Sequence, residues 1–163
     1  MTERTSAQRA AWPLLAAFLS AMPIPLAAAG DGAWYLHVDG ASHHFHRRDL
    51  NERNWGVGLG YEFNPNDRWV WSAEGDYFKD SFDDPSGYVG GGLRWRTRHV
   101  DFGLLGFVMY RQTAQETIGS HVFPGVLPFV EFGTRRLRLR TVYIPAVTGK
   151  DDEALTLQLL IGF

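Results

Sequence analysis

The chain has 163 residues, enough for one domain, and its formal net charge of −2 argues against a nucleic-acid-binding surface. Cysteine is absent, which excludes disulfides, thiolate metal sites and a cysteine nucleophile.

The first 29 residues have the features of a secretory signal peptide. Arg4 and Arg9 lie in a polar segment, and a mostly apolar stretch interrupted by prolines follows at residues 10–26. The small residues at 27–29 form a cleavage site of the A-x-A type. The apolar stretch is short for a membrane anchor, so we expect cleavage and a mature domain at residues 30–163.

The mature chain alternates between apolar and polar residues almost throughout. In one segment Val57, Leu59 and Tyr61 share one face, while Gly58 and Gly60 lie on the other. Such alternation indicates strands with one apolar face. Eight strands are predicted, at residues 32–45, 52–63, 68–80, 87–96, 99–112, 122–133, 135–146 and 153–163.

Four features favour a membrane barrel over a soluble sandwich. Large aromatic residues cluster near strand ends, as an interfacial girdle requires, and the opposite faces carry small and charged residues. Short and long connections alternate, and Phe163 resembles the terminal aromatic sorting signal of bacterial outer-membrane proteins. We therefore expect an all-β, eight-stranded, antiparallel up-and-down transmembrane β-barrel with both chain ends in the periplasm.

This topology brings two polar segments to one extracellular rim. Strand one runs outward and ends among His43, His44 and His46. Strand three also runs outward and ends at Asp80 and Ser81. A hydroxyl, a carboxylate and an imidazole at one rim predict acid–base or acyl-transfer chemistry, although Asp and Ser also commonly start turns.

Predicted strands six and seven both contain prolines. Pro124 and Pro128 fall in strand six and Pro145 in strand seven, although proline donates no hydrogen bond to a sheet. Either these residues simply end the strands near the rim, or they leave a lateral opening through which a lipid tail enters.

Four short blocks resemble the PagP family of lipid A palmitoyltransferases from Gram-negative outer membranes. Residues 51–56 (NERNWG) are similar to that family's N-E-R-P-W-G, and residues 78–82 (FKDSF) to its F-K-D-S-W. Residues 126–128 (VLP) and 143–145 (YIP) resemble its L-L-P and Y-I-P. The blocks occur in order and at matching spacing, and the similarity extends from about residue 34 to the C-terminus.

The resemblance implies a barrel whose outer half encloses a pocket for one acyl chain. It implies transfer of an acyl chain, palmitoyl in the family, from a glycerophospholipid donor to a hydroxyacyl chain of lipid A, the lipopolysaccharide acceptor. Asp80 and Ser81 match the family's catalytic Asp and Ser. Its histidine corresponds to His44, because the strand phase counted from Tyr35 gives His44 the required face; a broken phase would favour His43. Gly90, Pro128 and Pro145 match the positions that bind substrate.

The resemblance also has gaps. The family's amphipathic helix before the barrel is missing, and residues 87–92 do not align uniquely, so the acyl length stays open. We expect no cofactor, since no set of carboxylates with metal-ligand spacing accompanies the histidines at strand one. We further expect a monomer in the cell outer membrane with no nucleic-acid partner.

The predicted chemistry leaves two routes open. His44 can activate the lipid A hydroxyl directly, with Ser81 stabilising the oxyanion, or Ser81 can act as the nucleophile. Asp80 would orient the imidazole. Two other functions remain as alternatives: a lipid A deacylase or phospholipase on a similar barrel, and a non-enzymatic barrel for adhesion or envelope stability.

Overall fold

A computed structural model describes residues 32–47, 49–146 and 153–163. The predicted signal peptide and the predicted connection at 147–152 lie outside the described residues. The strands are β1 (Ala33–His44), β2 (Gly56–Glu62), β3 (Trp69–Lys79), β4 (Pro85–Trp95), β5 (Asp101–Arg111), β6 (Val122–Gly133), β7 (Leu137–Ile144) and β8 (Ala154–Gly162). A short helix, α1 (Ala114–Ile118), lies between β5 and β6 and was not predicted.

The strands close into one antiparallel barrel in sequence order, with β8 paired to β1. This confirms the predicted eight-stranded up-and-down β-barrel. Among the described residues, no helix has the length and hydrophobicity needed to cross a membrane.

The alternation of the sequence decides which side chains enter the lumen. On β3, Trp71 and Tyr77 are 56% and 65% exposed, whereas Glu74 and Asp76 are buried. The outer surface is therefore apolar and aromatic and the lumen carries the polar residues, the reverse of a soluble barrel and the pattern of a membrane barrel.

The two ends of the barrel differ in their connections. The loop end carries the connections at 45–55, 80–84 and 112–121 and the ends of β7 and β8 near residues 146 and 153. The turn end carries the short connections at 63–68, 96–100 and 134–136. Both ends of the described chain, at residues 32 and 163, also lie at the turn end, because β1 begins there and β8 finishes there.

A charged network fills the half of the lumen nearer the turn end. Three buried arginines contribute to it: Arg94, Arg138 and Arg140. Arg140 Nε donates to Glu131 at 2.7 Å, and its two terminal nitrogens donate to Glu74 at 2.6 and 3.1 Å. Arg138 pairs with Glu62 at 2.8 Å. Arg136, which alternates with Arg138 and Arg140 in the sequence, lies exposed in the β6–β7 turn and outside this network.

The half of the lumen nearer the loop end is apolar. Its buried core consists of Tyr88, Leu105, Phe107, Phe129 and Val142. Four partly buried residues pack against this core: Phe78, Met109, Phe123 and Leu127. The lumen therefore changes from apolar to charged along the barrel axis.

Candidate active site

A β-bulge near Gly40 decides which histidine enters the lumen. The pairing of β1 with β8 shifts by one residue between Asp39 and Ala41. Tyr35 and Asp39 are buried before the bulge, and His44 is buried beyond it, at 9% exposure. The phase argument from the sequence was therefore wrong, because an unbroken strand would have put His43 on the lumen face with Tyr35.

His43 lies instead on the outside of the strand. Its side chain is 67% exposed, and its Nδ1 lies 3.3 Å from Glu52 Oε1. The same Glu52 oxygen accepts a hydrogen bond from the backbone N–H of His44 at 3.3 Å. The first loop thus contacts the end of β1 through Glu52. Of the two adjacent histidines, only His44 faces the lumen.

The lumen-facing histidine meets Ser81. His44 Nε2 lies 2.9 Å from Ser81 Oγ, a hydrogen-bond distance between side chains 37 residues apart in sequence. β3 ends at Lys79, so Ser81 belongs to the following turn and is freed from strand alternation. Ser81 remains partly exposed, so its hydroxyl is accessible from the loop end.

Two further polar residues support this pair. Ser42 Oγ lies 3.5 Å from His44 Nε2 and donates a hydrogen bond to the side-chain oxygen of Asn54. Asn54 in turn donates to the backbone carbonyl of Lys79 at 3.2 Å. Since Ser42 gives its only hydroxyl proton to Asn54, Ser81 is the hydroxyl that can donate to an unprotonated Nε2.

Asp80 is buried beside the pair, but its hydrogen-bond partners do not include the imidazole of His44, which the sequence analysis expected it to orient. Its Oδ1 accepts from the backbone N–H groups of Phe82 and Asp84 at 2.8 and 3.1 Å. Its Oδ2 accepts from Arg111 Nε at 2.9 Å and from Ser86 Oγ at 3.3 Å. These four donors all belong to residues other than His44. Asp80 therefore shapes the turn that carries Ser81.

Asn51 ties the first loop to the same turn. Its backbone N–H donates to the carbonyl of Ser81 at 2.9 Å, and its side-chain amide donates to Asp83 at 2.9 Å. Asp83 has a φ of +65°, an uncommon backbone conformation for a residue other than glycine. Ser42, Asn54 and Arg111 were not among the predicted site residues. In the sequence, only the family-like block at residues 51–56, which contains Asn54, indicated this part of the site.

Gly90, predicted to bind substrate, is buried on the lumen face of β4. β4 runs from the loop end toward the turn end, so Tyr88 lies between Gly90 and the His44–Ser81 pair. The Tyr88 hydroxyl donates to Glu74 at 3.0 Å. Gly90 thus lies behind Tyr88, beside the charged half of the lumen.

Pro128 and Pro145 lie at the seam between β6 and β7. The two strands pair over only five positions, from Phe129 with Val142 to Gly133 with Arg138. β6 nevertheless continues to Val122 and pairs with β5 over that length. Along residues 122–128, β6 therefore has no ladder partner among the described residues of β7.

A cleft of about 250 Å³ opens at the other end of the barrel. It is lined by basic groups of two turns, which include Arg96, Arg98, His99 and Arg135. Burial, and then the neighbouring Arg94, lower the pKa of the Arg96 guanidinium. The cleft belongs to the turn end and is separated from His44 and Ser81 by the length of the lumen.

Comparisons with known proteins found similarity to proteins of lipid A acylation. The family model described as "Antimicrobial peptide resistance and lipid A acylation protein PagP" matches residues 32–158. A protein of Laribacter hongkongensis (strain HLHK9) named "Lipid A acyltransferase PagP" is 33% identical over 99 residues, which are 60% of this chain and 48% of that protein. The match thus spans about half of that relative's length.

Among solved structures, the Yersinia pestis outer membrane protein Ail in a phospholipid bilayer nanodisc is similar with a TM-score of 0.47. Its sequence identity is 14%, and the match covers 82% of this chain and 100% of that chain.

Proposed function

Because this chain belongs to the PagP family of antimicrobial peptide resistance and lipid A acylation proteins, we propose that it is a lipid A acyltransferase of the outer membrane. The donor is a glycerophospholipid, and the acceptor is a hydroxyl on an acyl chain of lipid A. The transferred chain is palmitoyl, as in the family. The protein acts as a monomeric barrel.

The observation that carries this proposal is the contact of 2.9 Å between His44 Nε2 and Ser81 Oγ. An imidazole and a hydroxyl at this distance form the proton-transfer pair that acyl transfer needs. The pair lies at the mouth of a lumen half lined by apolar side chains. An ester group held at the pair can therefore leave its acyl chain in apolar surroundings.

In the proposed reaction His44 accepts the Ser81 hydroxyl proton as Ser81 Oγ attacks the ester carbonyl of the donor phospholipid. Collapse of the tetrahedral intermediate forms an acyl-serine, and the lysophospholipid leaves with the proton from His44. The lipid A hydroxyl then attacks the acyl-serine, with His44 again moving the proton, and Ser81 is restored. No water is consumed, so the acyl chain is transferred without hydrolysis.

The β6–β7 seam supplies a lateral route for the donor. Pro124 and Pro128 are four residues apart, so their backbone nitrogens point toward the same neighbouring strand. Since the ladder to β5 runs unbroken from Val122 to Glu131, that neighbour is β7. Pro145 lies beyond the last residue of β7. The missing donors leave a gap through which an acyl chain can pass from the membrane into the apolar lumen.

Mass spectrometry of lipid A tests the activity directly. Cells of a strain without its own lipid A acyltransferase of this family are compared with and without the gene, after confirming that the folded barrel is present in the outer membrane. We expect lipid A to gain one acyl chain. A loss of acyl mass would indicate a deacylase instead, and unchanged lipid A would support a non-enzymatic barrel.

Variants of the pair test the site. We expect His44→Ala and Ser81→Ala each to lower acyl gain by at least about a hundredfold, with His43→Ala as the matched control that retains it. The purified barrel, given phospholipid without lipid A, should form an acyl adduct on the peptide containing Ser81. Full turnover without any adduct would favour direct attack by the lipid A hydroxyl.

A further inference from the structure

One strand of the barrel presents glycines to the lumen at every second position. These residues are Gly56, Gly58 and Gly60 of β2. A methyl group at Gly58 would clash with the carboxylate of Asp76, and one at Gly56 would lie 2.5 Å from Asp39 Oδ2. One at Gly60 would lie 2.8 Å from His37 Nε2. The glycines therefore leave space that three ionisable side chains of β1 and β3 occupy.

His37 of β1 meets Asp76 and Glu74 of β3 across β2. His37 Nδ1 lies 3.2 Å from Asp76 Oδ2, and one potential ligand atom each from His37, Glu74 and Asp76 lie within 4.8 Å of one another. Gln158 of β8 donates to Asp39 Oδ1 at 2.7 Å. All five residues are at least 90% buried.

Several oxygens in this cluster have no hydrogen-bond partner among the described residues. They are Asp39 Oδ2, Asp76 Oδ1 and Gln158 Oε1. A buried carboxylate oxygen without a donor is costly, and native proteins normally satisfy it. Two such carboxylate oxygens, with an amide oxygen in the same cluster, favour a positively charged ligand.

The charges of the lumen lead to the same conclusion. The buried carboxylates on the described strands are those of Asp39, Glu62, Glu74, Asp76 and Glu131, and the buried guanidiniums are those of Arg94, Arg138 and Arg140. Asp101, a partly buried partner of Arg94, adds a sixth carboxylate. Six negative charges against three positive ones leave an excess of three when His37 is counted as neutral. The three arginines pair with Glu62, Glu74, Asp101 and Glu131. Asp39 and Asp76 are not among those partners.

We propose that His37, Glu74 and Asp76 bind one divalent transition-metal cation of the zinc class, with the carboxylate of Asp39 adding negative charge to the cluster. A charge of +2 offsets most of the negative excess of the lumen. An imidazole beside carboxylates favours zinc over magnesium or calcium, which prefer ligand sets made of oxygen alone. The ion links β1 to β3 across the glycine strand, so its role is structural and independent of the proposed acyl transfer.

The full barrel, refolded in detergent after EDTA treatment, tests this site with zinc as the probe. One equivalent of ZnCl₂ is added, and retained zinc is measured after gel filtration by mass spectrometry of the metal. We expect about one zinc per chain, a higher Tm than for the EDTA-treated barrel, and an X-ray absorption spectrum with nitrogen and oxygen ligands at about 2.0–2.2 Å.

Variants assign the zinc to the lumen. His37→Gln and Asp76→Asn should retain less than about a tenth of the wild-type zinc. His43→Ala and His99→Ala remove surface imidazoles at the two ends and should retain it. A folded wild-type barrel that holds no zinc overturns the proposal even where a variant fails to refold. Zinc that is lost only in His43→Ala or His99→Ala also overturns the proposal. A zinc-free wild type with a more stable Asp76→Asn variant would mean that protons balance the carboxylates.

Discussion

At the scale of single residues, the position of Ser81 depends on Asp80. The Asp80 carboxylate closes the turn through two backbone N–H groups and fastens it to β5 through Arg111. The same turn carries the hydroxyl that meets His44. Asp80 therefore acts as a positioning residue, whose loss would move Ser81 without touching the acyl group.

Asp80→Asn should lower acyl transfer by about tenfold to a hundredfold, because a displaced reacting group loses rate steeply. Asn keeps an oxygen for the turn but loses the ion pair, so Arg111→Ala should have a similar effect. The double variant should fall no further than either single one, since both act through one contact. The measurements are kcat and KM for transfer from phospholipid to lipid A in detergent micelles.

Lys79→Ala is the matched control, because its exposed pair with Asp83 lies in the same turn. Exposed pairs contribute little, so its activity should stay within about twofold of wild type. Additive losses in the Asp80 and Arg111 variants would contradict the coupling, and a fall in kcat for Lys79→Ala would mean that any change in the turn is damaging.

Asp80, Ser81 and the two candidate histidines were predicted as site residues from the sequence, but the contacts between them were not. The bulge that puts His44 in the lumen depends on an extra residue in the pairing of β1 with β8, more than 110 positions away in sequence. No local pattern at 39–41 specifies that pairing. The ion pair of Asp80 with Arg111 could likewise not be predicted from the sequence, since Arg111 approaches Asp80 only when β3, β4 and β5 lie side by side.

At the scale of strands, the seam between β6 and β7 is the weak side of the barrel. Only the part nearer the turn end carries a ladder, and Pro128 begins the part that lacks one. Regular alternation predicted all eight strands to within a few residues. The prolines left two interpretations, because a proline that ends a strand and one that opens a seam look alike in a sequence.

Replacing two of the three seam prolines by valine should narrow the opening. Pro128→Val with Pro145→Val restores two backbone donors, so we expect a longer ladder between β6 and β7 and a higher Tm. Acyl transfer should fall, because the donor chain loses its route. Tm in detergent and the rate of transfer are measured on the same preparation.

Pro85→Val serves as the control, since Pro85 starts β4 away from this seam. A double variant that gains stability and keeps full activity would show that the lipid enters elsewhere. A variant that loses stability would show that the prolines only end the strands.

At the scale of the whole molecule, the lumen is divided between an apolar half and a charged half. Arg140 lies at the boundary, bound to Glu74 and Glu131 and with its guanidinium carbon 4.5 Å from the centre of the Phe129 ring. Removing one partner from a buried ion pair leaves an uncompensated charge. The barrel should therefore depend on this residue for stability.

Arg140→Met should lower the free energy of unfolding by about 3–5 kcal/mol, because it leaves two buried carboxylates without their main donor. Urea unfolding of the barrel in lipid vesicles measures the change. Arg136→Met, in an exposed turn of the neighbouring chain segment, should leave the stability close to that of wild type. Equal stability for both variants would mean that water satisfies the charges of the lumen.

Under the proposed function, the division of the lumen also sets how deep an acyl chain can reach. Tyr88 closes the apolar half, with its ring packed against Phe78 and Phe107 and its hydroxyl bound to Glu74. The next lumen-facing residue on β4 is Gly90, two positions further toward the turn end. On a tilted strand two positions correspond to about 5 Å along the barrel axis.

Tyr88→Ala should therefore lengthen the preferred acyl chain by about two to four carbons, since it deepens the apolar half by that distance. The measurement is the mass of the acyl chain added to lipid A when phospholipids with different chain lengths compete. Tyr88→Phe keeps the ring and removes only the hydroxyl, so its preference should match that of wild type. If Tyr88→Ala also keeps the wild-type preference while remaining folded and active, the chain does not end at Tyr88 and must lie along another wall of the lumen.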